Sequence, residues 1–244
     1  MRVAVIGHGR MGREVEAVLS ERGHEPVIVS RSAGFPSLCP VGIDFTHAEA
    51  VVGNTRRAVE AGARYVVGTT GWGDAEADLR ALVAAARGGL VHGANFSLGV
   101  NLFYQIVRHA TALLARFPDY DPYIVEKHHR KKRDAPSGTA KVLAGVVAGA
   151  AVGGRRKPEG QLTGMMALEE DRFSVSSVRA GGIIGEHLVG FDSGGDEILL
   201  EHRARSRRGF ALGAVLAAEW IESRTGFYTF EDVVADLAKG RSPA

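Results

Sequence analysis

The first part of the chain alternates between short apolar runs and segments whose apolar residues recur at helical spacing. The apolar runs are rich in valine and isoleucine, which predicts buried strands at residues 2–6, 26–29, 42–46, 65–67 and 90–92. Helices are predicted between them at residues 13–22, 47–60 and 75–86. This alternation predicts βαβ units and a parallel sheet.

The pattern changes beyond residue 98. Helices are predicted at residues 101–116 and 140–151, with a strand at 123–126 between them. Three later segments, at 173–178, 187–191 and 197–202, read as strands, and the turn Ser193-Gly194-Gly195-Asp196 favours hairpin pairing. We therefore expect a mixed or antiparallel sheet here. The apolar helix at 209–222, followed by the segment 230–237, is expected to pack back on the first region.

A glycine motif lies between the first strand and the first helix. The string Gly7-His8-Gly9-Arg10-Met11-Gly12 matches G-x-G-x-x-G in the order that a dinucleotide site needs. Its first glycine permits the tight turn, its second lets the backbone approach a pyrophosphate, and its third allows close helix–strand packing. We therefore predict a dinucleotide-binding site, with His8 as a further candidate contact.

The end of the second strand normally chooses between the two nicotinamide cofactors. An acidic side chain there suits the ribose hydroxyls of NADH, and a basic one suits the 2′-phosphate of NADPH. This chain has Ser30-Arg31-Ser32 and no carboxylate, and Arg10 could reach the same phosphate. A guanidinium binds phosphate bidentately. The sequence therefore favours NADPH, with NADH as the alternative donor; an exposed Arg31 with no ligand is the plainer interpretation.

Three further turns follow strands of the first region. They contain Thr46, the string Gly68-Thr69-Thr70-Gly71, and the string Ala94-Asn95-Phe96-Ser97. The carboxyl ends of parallel strands lie at one edge of a sheet, where ligands collect. We therefore expect Thr46, Gly68, Thr69, Thr70, Ala94, Asn95 and Phe96 to line the cofactor site.

The densest cluster of chemically useful residues lies between the predicted strand at 123–126 and the helix at 140–151. His128 and His129 precede a basic run through Arg133, and Asp134-Ala135-Pro136-Ser137-Gly138-Thr139 leads into the helix. An imidazole can move a proton near neutral pH, and helix N-termini and lysines bind anions. The alternative interpretation is a solvated basic loop.

Composition narrows the class of protein. The formal net charge is +2 over 244 residues, so the basic run is local and no nucleic-acid partner is expected. The single cysteine, Cys39, excludes an internal disulfide and a thiolate metal site, and no metal site is indicated by histidine spacing. No apolar run approaches about 18 residues, and the chain starts with a strand. We therefore expect a cytoplasmic protein with no membrane partner.

Taken in order, these strings resemble the 4-hydroxy-tetrahydrodipicolinate reductase (dihydrodipicolinate reductase) family across nearly the whole chain. The resemblance rests most on His128-His129 and the string 134–140, because the glycine turn alone would fit many dehydrogenases. The other matching strings are Gly9-Arg10-Met11-Gly12, Ile43-Asp44-Phe45-Thr46, Gly68-Thr69-Thr70-Gly71, Ala94-Asn95-Phe96-Ser97, Val178-Arg179-Ala180-Gly181 and Gly185-Glu186-His187.

The resemblance implies an α/β fold with a Rossmann-type dinucleotide-binding domain at residues 1–98 and 207–244. It implies an inserted α+β domain at 99–206 that binds substrate and whose mixed sheet makes a homotetramer. The implied reaction is hydride transfer from NAD(P)H to a cyclic dicarboxylate imine, in lysine and diaminopimelate synthesis.

The resemblance also implies roles for the central motif. His128 occupies the family's proton-donor position, while His129, Lys132, Ser137, Gly138 and Thr139 occupy its substrate-carboxylate positions. Lys132 has a second, catalytic role in this interpretation, because a cation beside the ring steadies the charge that hydride addition creates. Nearby cations should at the same time lower the pKa of His128.

Two rival functions fit parts of the pattern. One is another NAD(P)-dependent enzyme on the same scaffold, such as an amino-acid dehydrogenase acting on a related imine, which would not need the His-His, Lys and Ser-Gly-Thr set. The other is a cofactor-sensing or nucleic-acid-binding protein that grips phosphates with residues 127–133. The small net charge and the absence of aromatics within that run argue against the second.

Overall fold

A computed structural model describes residues 1–30, 34–150, 157–159, 168–169 and 171–240. Arg31, predicted to bind the 2′-phosphate, and the end of the helix predicted at 140–151 lie outside the described residues. The chain divides into two compact units, Met1–Leu98 with Arg207–Ala244, and Gly99–Ser206. None of the helices in the described ranges is long and apolar enough to cross a membrane.

The first unit is built on a parallel sheet, as predicted. Its strands are β1 (Arg2–Ile6), β2 (Glu25–Val29), β3 (Val41–Asp44), β4 (Arg64–Val67), β5 (Gly89–His92) and β11 (Gly226–Thr229). They lie in the order β11-β5-β4-β3-β1-β2, and every pairing is parallel. The strand order reverses between β1 and β3, which is where open α/β sheets bind ligands.

Helices cover both faces of this sheet. They are α1 (Arg10–Glu21), α2 (Ala48–Glu60), a 3₁₀ turn (Gly73–Ala75), α3 (Glu76–Ala85), α6 (Arg208–Ile221) and α7 (Phe230–Ala238). Apolar residues of α1, α6 and α7 form one core with the sheet, and those of α2 and α3 form another. This two-sided burial explains why β1 and β3 read as nearly continuous apolar runs.

The second unit carries the predicted mixed sheet, with helices α4 (Leu98–Leu114) and α5 (Gly138–Ala150) contributing to its core. Its strands are β6 (Asp121–His128), β7 (Lys157–Glu159), β8 (Arg172–Arg179), β9 (Glu186–Asp192) and β10 (Glu197–Arg203), in the order β10-β9-β6-β8-β7. The hairpin prediction holds for β9 and β10. It fails for β8 and β9, because β6 lies between them, parallel to β8 and antiparallel to β9.

Candidate active site

The glycine turn of the first unit has the geometry that its motif predicts. Gly7 has a φ of +91°, and a Cβ there would lie 2.5 Å from the carbonyl oxygen of Phe45. A Cβ on Gly12 would lie 2.1 Å from the carbonyl oxygen of Gly7, so α1 approaches β1 closely. A Cβ on Gly9 would meet nothing within 4 Å. The turn therefore leaves open space beside Gly9, where a pyrophosphate could approach the backbone.

A cavity of about 790 Å³ adjoins this turn and is large enough for a nucleotide. It is bounded by the glycine turn, the end of β2, the turn after β3 and one side of α2. Its lining includes Gly7, His8, Gly9, Val29, Ser30, Phe35, Thr46, His47, Asn54, Arg57 and Tyr65, and none of the described lining residues is acidic. His47 and Arg57 were missed at the sequence level, since neither belongs to the glycine motif. The turn and cavity together fit a dinucleotide.

The turn after β3 is held by a buried carboxylate. Asp44 is fully buried, and its Oδ1 accepts hydrogen bonds from the Thr46 amide at 2.8 Å and the Thr69 hydroxyl at 3.1 Å. Its Oδ2 accepts from Asn54 at 2.8 Å and from the Tyr65 hydroxyl at 2.9 Å. Burial, together with Asp44, raises the pKa of Tyr65 well above its usual value. The predicted residues Thr46 and Thr69 are therefore held in place by the hydrogen bonds that they donate to Asp44.

The remaining residues predicted for the cofactor site are placed unequally. The His8 ring pairs with Glu16 at 2.6 Å, and the Oδ1 of Asn95 accepts the Ser97 amide at 2.8 Å. The Phe96 ring is buried against Phe45 and Phe230.

Three further members of this set, Arg10, Thr70 and Ala94, are exposed. Met11 packs against the hydrophobic core. Gly68 lies against the Phe45 ring, which leaves no room for a side chain at that position. The side chains of Phe96 and Met11 thus support the unit from within, which the order of residues in a turn does not reveal.

The second unit assembles its site on the last part of β6. Alternate residues of this strand are buried, so Glu126 and His128 lie on the same face. A short hydrogen bond joins His128 Nδ1 to Glu126 Oε2. Arg179, from the neighbouring strand β8, donates to both oxygens of Glu126, at 3.0 Å and 2.6 Å. The backbone amide of Ser137 donates to Glu126 Oε1 at 3.2 Å.

This arrangement shifts the pKa of each buried group. Burial alone would raise the pKa of Glu126, but hydrogen bonds from Arg179 and His128 lower it to about 2. Burial lowers the pKa of His128; Glu126 opposes this shift, while Lys132 and Arg179 add to it. The lowering expected from nearby cations is thus present, although burial is its largest cause.

His187, on β9, completes the cluster. Its ring lies 5.2 Å from that of His128 in a T-shaped contact, and its Nε2 is 3.1 Å from the Ser137 hydroxyl. Burial lowers the pKa of His187 to about 4, and the neighbouring His128 adds to the shift. The sequence alone did not predict this contact. A Cβ on Gly185 would lie 3.1 Å from His128 Nε2. This nitrogen therefore faces Gly185, where a larger residue would have little room.

The motif between β6 and α5 is held by its own polar groups. The Lys132 ammonium pairs with Asp134 at 2.8 Å, and the Lys132 amide donates to the carbonyl of the half-buried His129 at 3.0 Å. The Ser137 hydroxyl accepts the Ala140 amide at 3.2 Å and thereby caps α5. Gly138 and Thr139 form the first turn of that helix. Helix N-termini of this kind attract anions.

Glu126, His128 and His187 also place possible metal-ligand atoms within 4.8 Å of one another, although histidine spacing along the chain indicated no metal site. Both oxygens of Glu126 are engaged by the Arg179 guanidinium, however. A guanidinium already supplies the positive charge that a buried carboxylate needs, and it repels a further cation. The cluster is therefore better suited to holding a proton than a metal ion.

Sequence reasoning named His128, His129, Lys132 and the 137–139 turn as candidate site residues and gave no role to Glu126 or Arg179. The period of two along a strand was a usable signal for Glu126, since it is two residues before His128. Arg179 lies in the family-matching string Val178-Arg179-Ala180-Gly181, but its contact with Glu126 arises only through the pairing of β6 with β8.

Both units are similar in sequence to known proteins of one family. Residues 26–96 match the family model described as dihydrodipicolinate reductase, N-terminus, and residues 99–234 match that of its C-terminus. The 4-hydroxy-tetrahydrodipicolinate reductase of Christiangramia forsetii is 34% identical over 246 residues, covering 98% of this chain and 100% of the relative. The relative from Archaeoglobus fulgidus, of the same name, is 40% identical over 262 residues, covering 95% and 99%.

Among solved structures, a dipicolinate-bound dihydrodipicolinate reductase from Paenisporosarcina sp. TG-14 shares the fold. Its TM-score is 0.75 at 24% identity, covering 95% of this chain and 98% of that one. An amine dehydrogenase from Mycobacterium smegmatis has a TM-score of 0.56 at 12% identity over 95% of each chain, which again shows the fold. The chain belongs to the dihydrodipicolinate reductase family, nicotinamide-dependent oxidoreductases of lysine and diaminopimelate biosynthesis.

Proposed function

We propose that this chain reduces 4-hydroxy-tetrahydrodipicolinate to tetrahydrodipicolinate in the cytoplasm, with His128 as the proton donor. The observation that carries the proposal is a buried histidine that is hydrogen-bonded to Glu126 and lies beside the start of α5. Family membership supplies the reaction, and this geometry supplies a group that can hold and release a proton.

In this proposal the substrate's two carboxylates bind to the basic motif. His129 and Lys132 supply charge, and Gly138 and Thr139 supply the N-terminal end of α5. Ser137 supports this turn from below, because its amide and hydroxyl already bond to Glu126 and Ala140. A substrate carboxylate would compete with Asp134 for the Lys132 ammonium.

Proton transfer follows from the charge of the substrate. Loss of the substrate's 4-hydroxyl group as water gives a conjugated ring. A bound reduced nicotinamide would supply a hydride to C4 of that ring, and this addition would leave negative charge on the ring. His128 then donates a proton to it, and Lys132 steadies the charge. Burial lowers the pKa of His128, and Lys132 and Arg179 lower it further. A bound dianion offsets those cations and would raise that pKa toward the working range.

We propose NADPH as the preferred donor and residues 1–98 and 207–244 as the dinucleotide-binding domain. Among the described residues that line the cavity beside the glycine turn, none is acidic and one is Arg57. This lining suits a 2′-phosphate better than bare ribose hydroxyls. Arg31 and Arg10 are the further cations proposed for that phosphate. Arg31→Ala should weaken NADPH binding much more than NADH binding; equal weakening, measured by fluorescence titration, would remove Arg31 from this role.

The test of the reaction is oxidation of NADPH, with substrate made in situ from pyruvate and aspartate semialdehyde by the preceding synthase. We expect rapid oxidation that depends on that synthase, and a slower rate with NADH. A folded protein that binds NADPH but oxidises neither donor would refute the assignment. The variant His109→Gln, at an exposed histidine of α4, should oxidise NADPH as fast as wild type and is the matched control for His128→Gln.

We propose that residues 99–206 bind substrate and assemble the chain into a homotetramer through their sheet. The support is the edge strand β10, which leaves Leu199 half exposed beside Ile198. Light scattering after size exclusion should give a mass four times the 25.9 kDa of the chain. A monomeric mass in active protein would refute the assembly.

A further inference from the structure

We infer that Glu126, clamped by Arg179, is a positioning residue that fixes His128 as the proton donor and ties it to the substrate-binding turn. The inference rests on the proposed role of His128 and names a residue that acts through it. Its basis is the contact set of one carboxylate: Oε2 meets His128, Oε1 meets the Ser137 amide, and Arg179 bridges both oxygens.

The contacts of Glu126 select one form of the His128 ring. Arg179 keeps the carboxylate ionised, and an ionised carboxylate can only accept hydrogen bonds. His128 Nδ1 must therefore carry a hydrogen. In the neutral ring, Nε2 is then the basic nitrogen, and this is the atom that faces Gly185. The carboxylate thus directs proton uptake and release to a single atom of the ring.

Arg179 makes this arrangement rigid. Its Nη1 also donates to the Val178 carbonyl at 2.9 Å, and its Nη2 donates to the Asp134 carbonyl at 2.7 Å. The guanidinium therefore joins β8 to the motif loop while it holds Glu126 from both sides. Because Glu126 is fully buried, water cannot take the place of these donors.

The same carboxylate acts on the charge of His128. The groups that face this imidazole are Glu126 on β6, Arg179 on β8, His187 on β9 and Lys132 in the motif loop. Of these, Glu126 alone favours the imidazolium, and the two cations oppose it. Removal of its charge should therefore lower the pH at which His128 can still donate a proton.

The first measurement is made on wild-type protein, with one variant used only to assign the signals. Long-range ¹H–¹⁵N spectra of histidine-labelled wild-type protein report which ring nitrogen carries the hydrogen, and the signals lost in His128→Gln identify His128 among the nine histidines. We expect neutral His128 to be protonated at Nδ1. Protonation at Nε2, or an even mixture of the two forms, would overturn the inference.

The second measurement is the pH profile of Glu126→Gln, which keeps the shape of the side chain and removes its charge. We expect kcat to fall about 10²-fold and its alkaline limb to move to lower pH, while NADPH binding is retained. Glu169→Gln removes an exposed carboxylate that also pairs with an arginine of the same unit, and should match wild type. An unchanged kcat profile for Glu126→Gln would overturn the inference.

The outcomes separate the two proposals. Wild-type turnover in His128→Gln would refute the donor role of His128, and the positioning role would fall with it. A large loss in His128→Gln together with wild-type behaviour in Glu126→Gln would refute the positioning role alone. If Glu126→Gln does not fold, the tautomer of the wild-type ring still decides the question.

Discussion

Within the described residues, each unit buries one carboxylate completely, and the two carboxylates are held in opposite ways. Asp44 in the first unit accepts hydrogen bonds from threonine, asparagine and tyrosine groups, none of which carries a charge. Glu126 in the second unit is held by a guanidinium and an imidazole. Neutral donors that do not titrate near neutral pH can fix a turn permanently. A titratable partner lets the second carboxylate influence where a proton resides.

The largest effect should come from removing the titratable partner itself. We expect His128→Gln to lower kcat by about 10²- to 10⁴-fold, the usual loss for a general acid, with KM changed little. Steady-state kinetics at saturating NADPH measures the split. A rise in KM with kcat intact would instead place His128 in binding, and the contrast between the two carboxylates would lose its chemical meaning.

The next effect should appear in stability. In Asp44→Asn an NH₂ group replaces one carboxylate oxygen. Whichever oxygen is replaced, the new group meets an N–H donor, either the Thr46 backbone amide or the Asn54 side chain. The free energy of unfolding should therefore fall by about 3 kcal/mol. Urea unfolding followed by circular dichroism measures this loss. Asp74→Asn, at an exposed carboxylate, is the control and should stay within about 0.5 kcal/mol of wild type. A comparable loss in both variants would show that Asp44 is not a specific anchor.

The smallest expected effect is a loss of folding stability at acidic pH, caused by His187. The pKa of His187 is about 4 in the folded chain against 6.5 as its ordinary value, so the unfolded chain binds the proton more readily. Stability is therefore full above pH 6.5 and falls as the pH drops toward 4. At pH 5 the cost is about 2 kcal/mol. Urea unfolding at pH 7.5 and pH 5 measures this loss. Between these pH values, the free energy of unfolding of His187→Gln should fall by about 2 kcal/mol less than that of wild type. An equal fall in both proteins would contradict the lowered pKa of His187.

Much of the fold could be predicted because its signals are local. The strand–helix alternation before residue 98 predicts the parallel sheet. The edge strand β11 was missed, since its four residues, Gly226–Thr229, show no alternation and pair with β5 far away in the sequence. The insertion of β6 between β8 and β9 was missed for the same reason. Pairing between distant segments leaves no mark in a local pattern.

The site divides in the same way. His128, His129 and Lys132 lie in one stretch of sequence, and their chemistry is visible there. The residues that fix the ring orientation lie elsewhere: Arg179 is 53 positions beyond Glu126 and His187 is 50 beyond Ser137. Their contribution exists only once the strands have paired. Residue type and spacing thus predict candidate reactive groups, and the fold decides how those groups are oriented.

The bridge from Arg179 to Glu126 has a consequence for anyone who would move this site to another scaffold. Residues 126–140 look self-contained, with a proton donor, cations and a helix start in one segment. Grafted without β8, the segment would bury Glu126 without the Arg179 guanidinium that binds both of its oxygens, at a cost of about 3–5 kcal/mol. The graft would unfold or misplace its histidine. A working graft would therefore need β6, β8 and the motif loop between β6 and α5, transferred together.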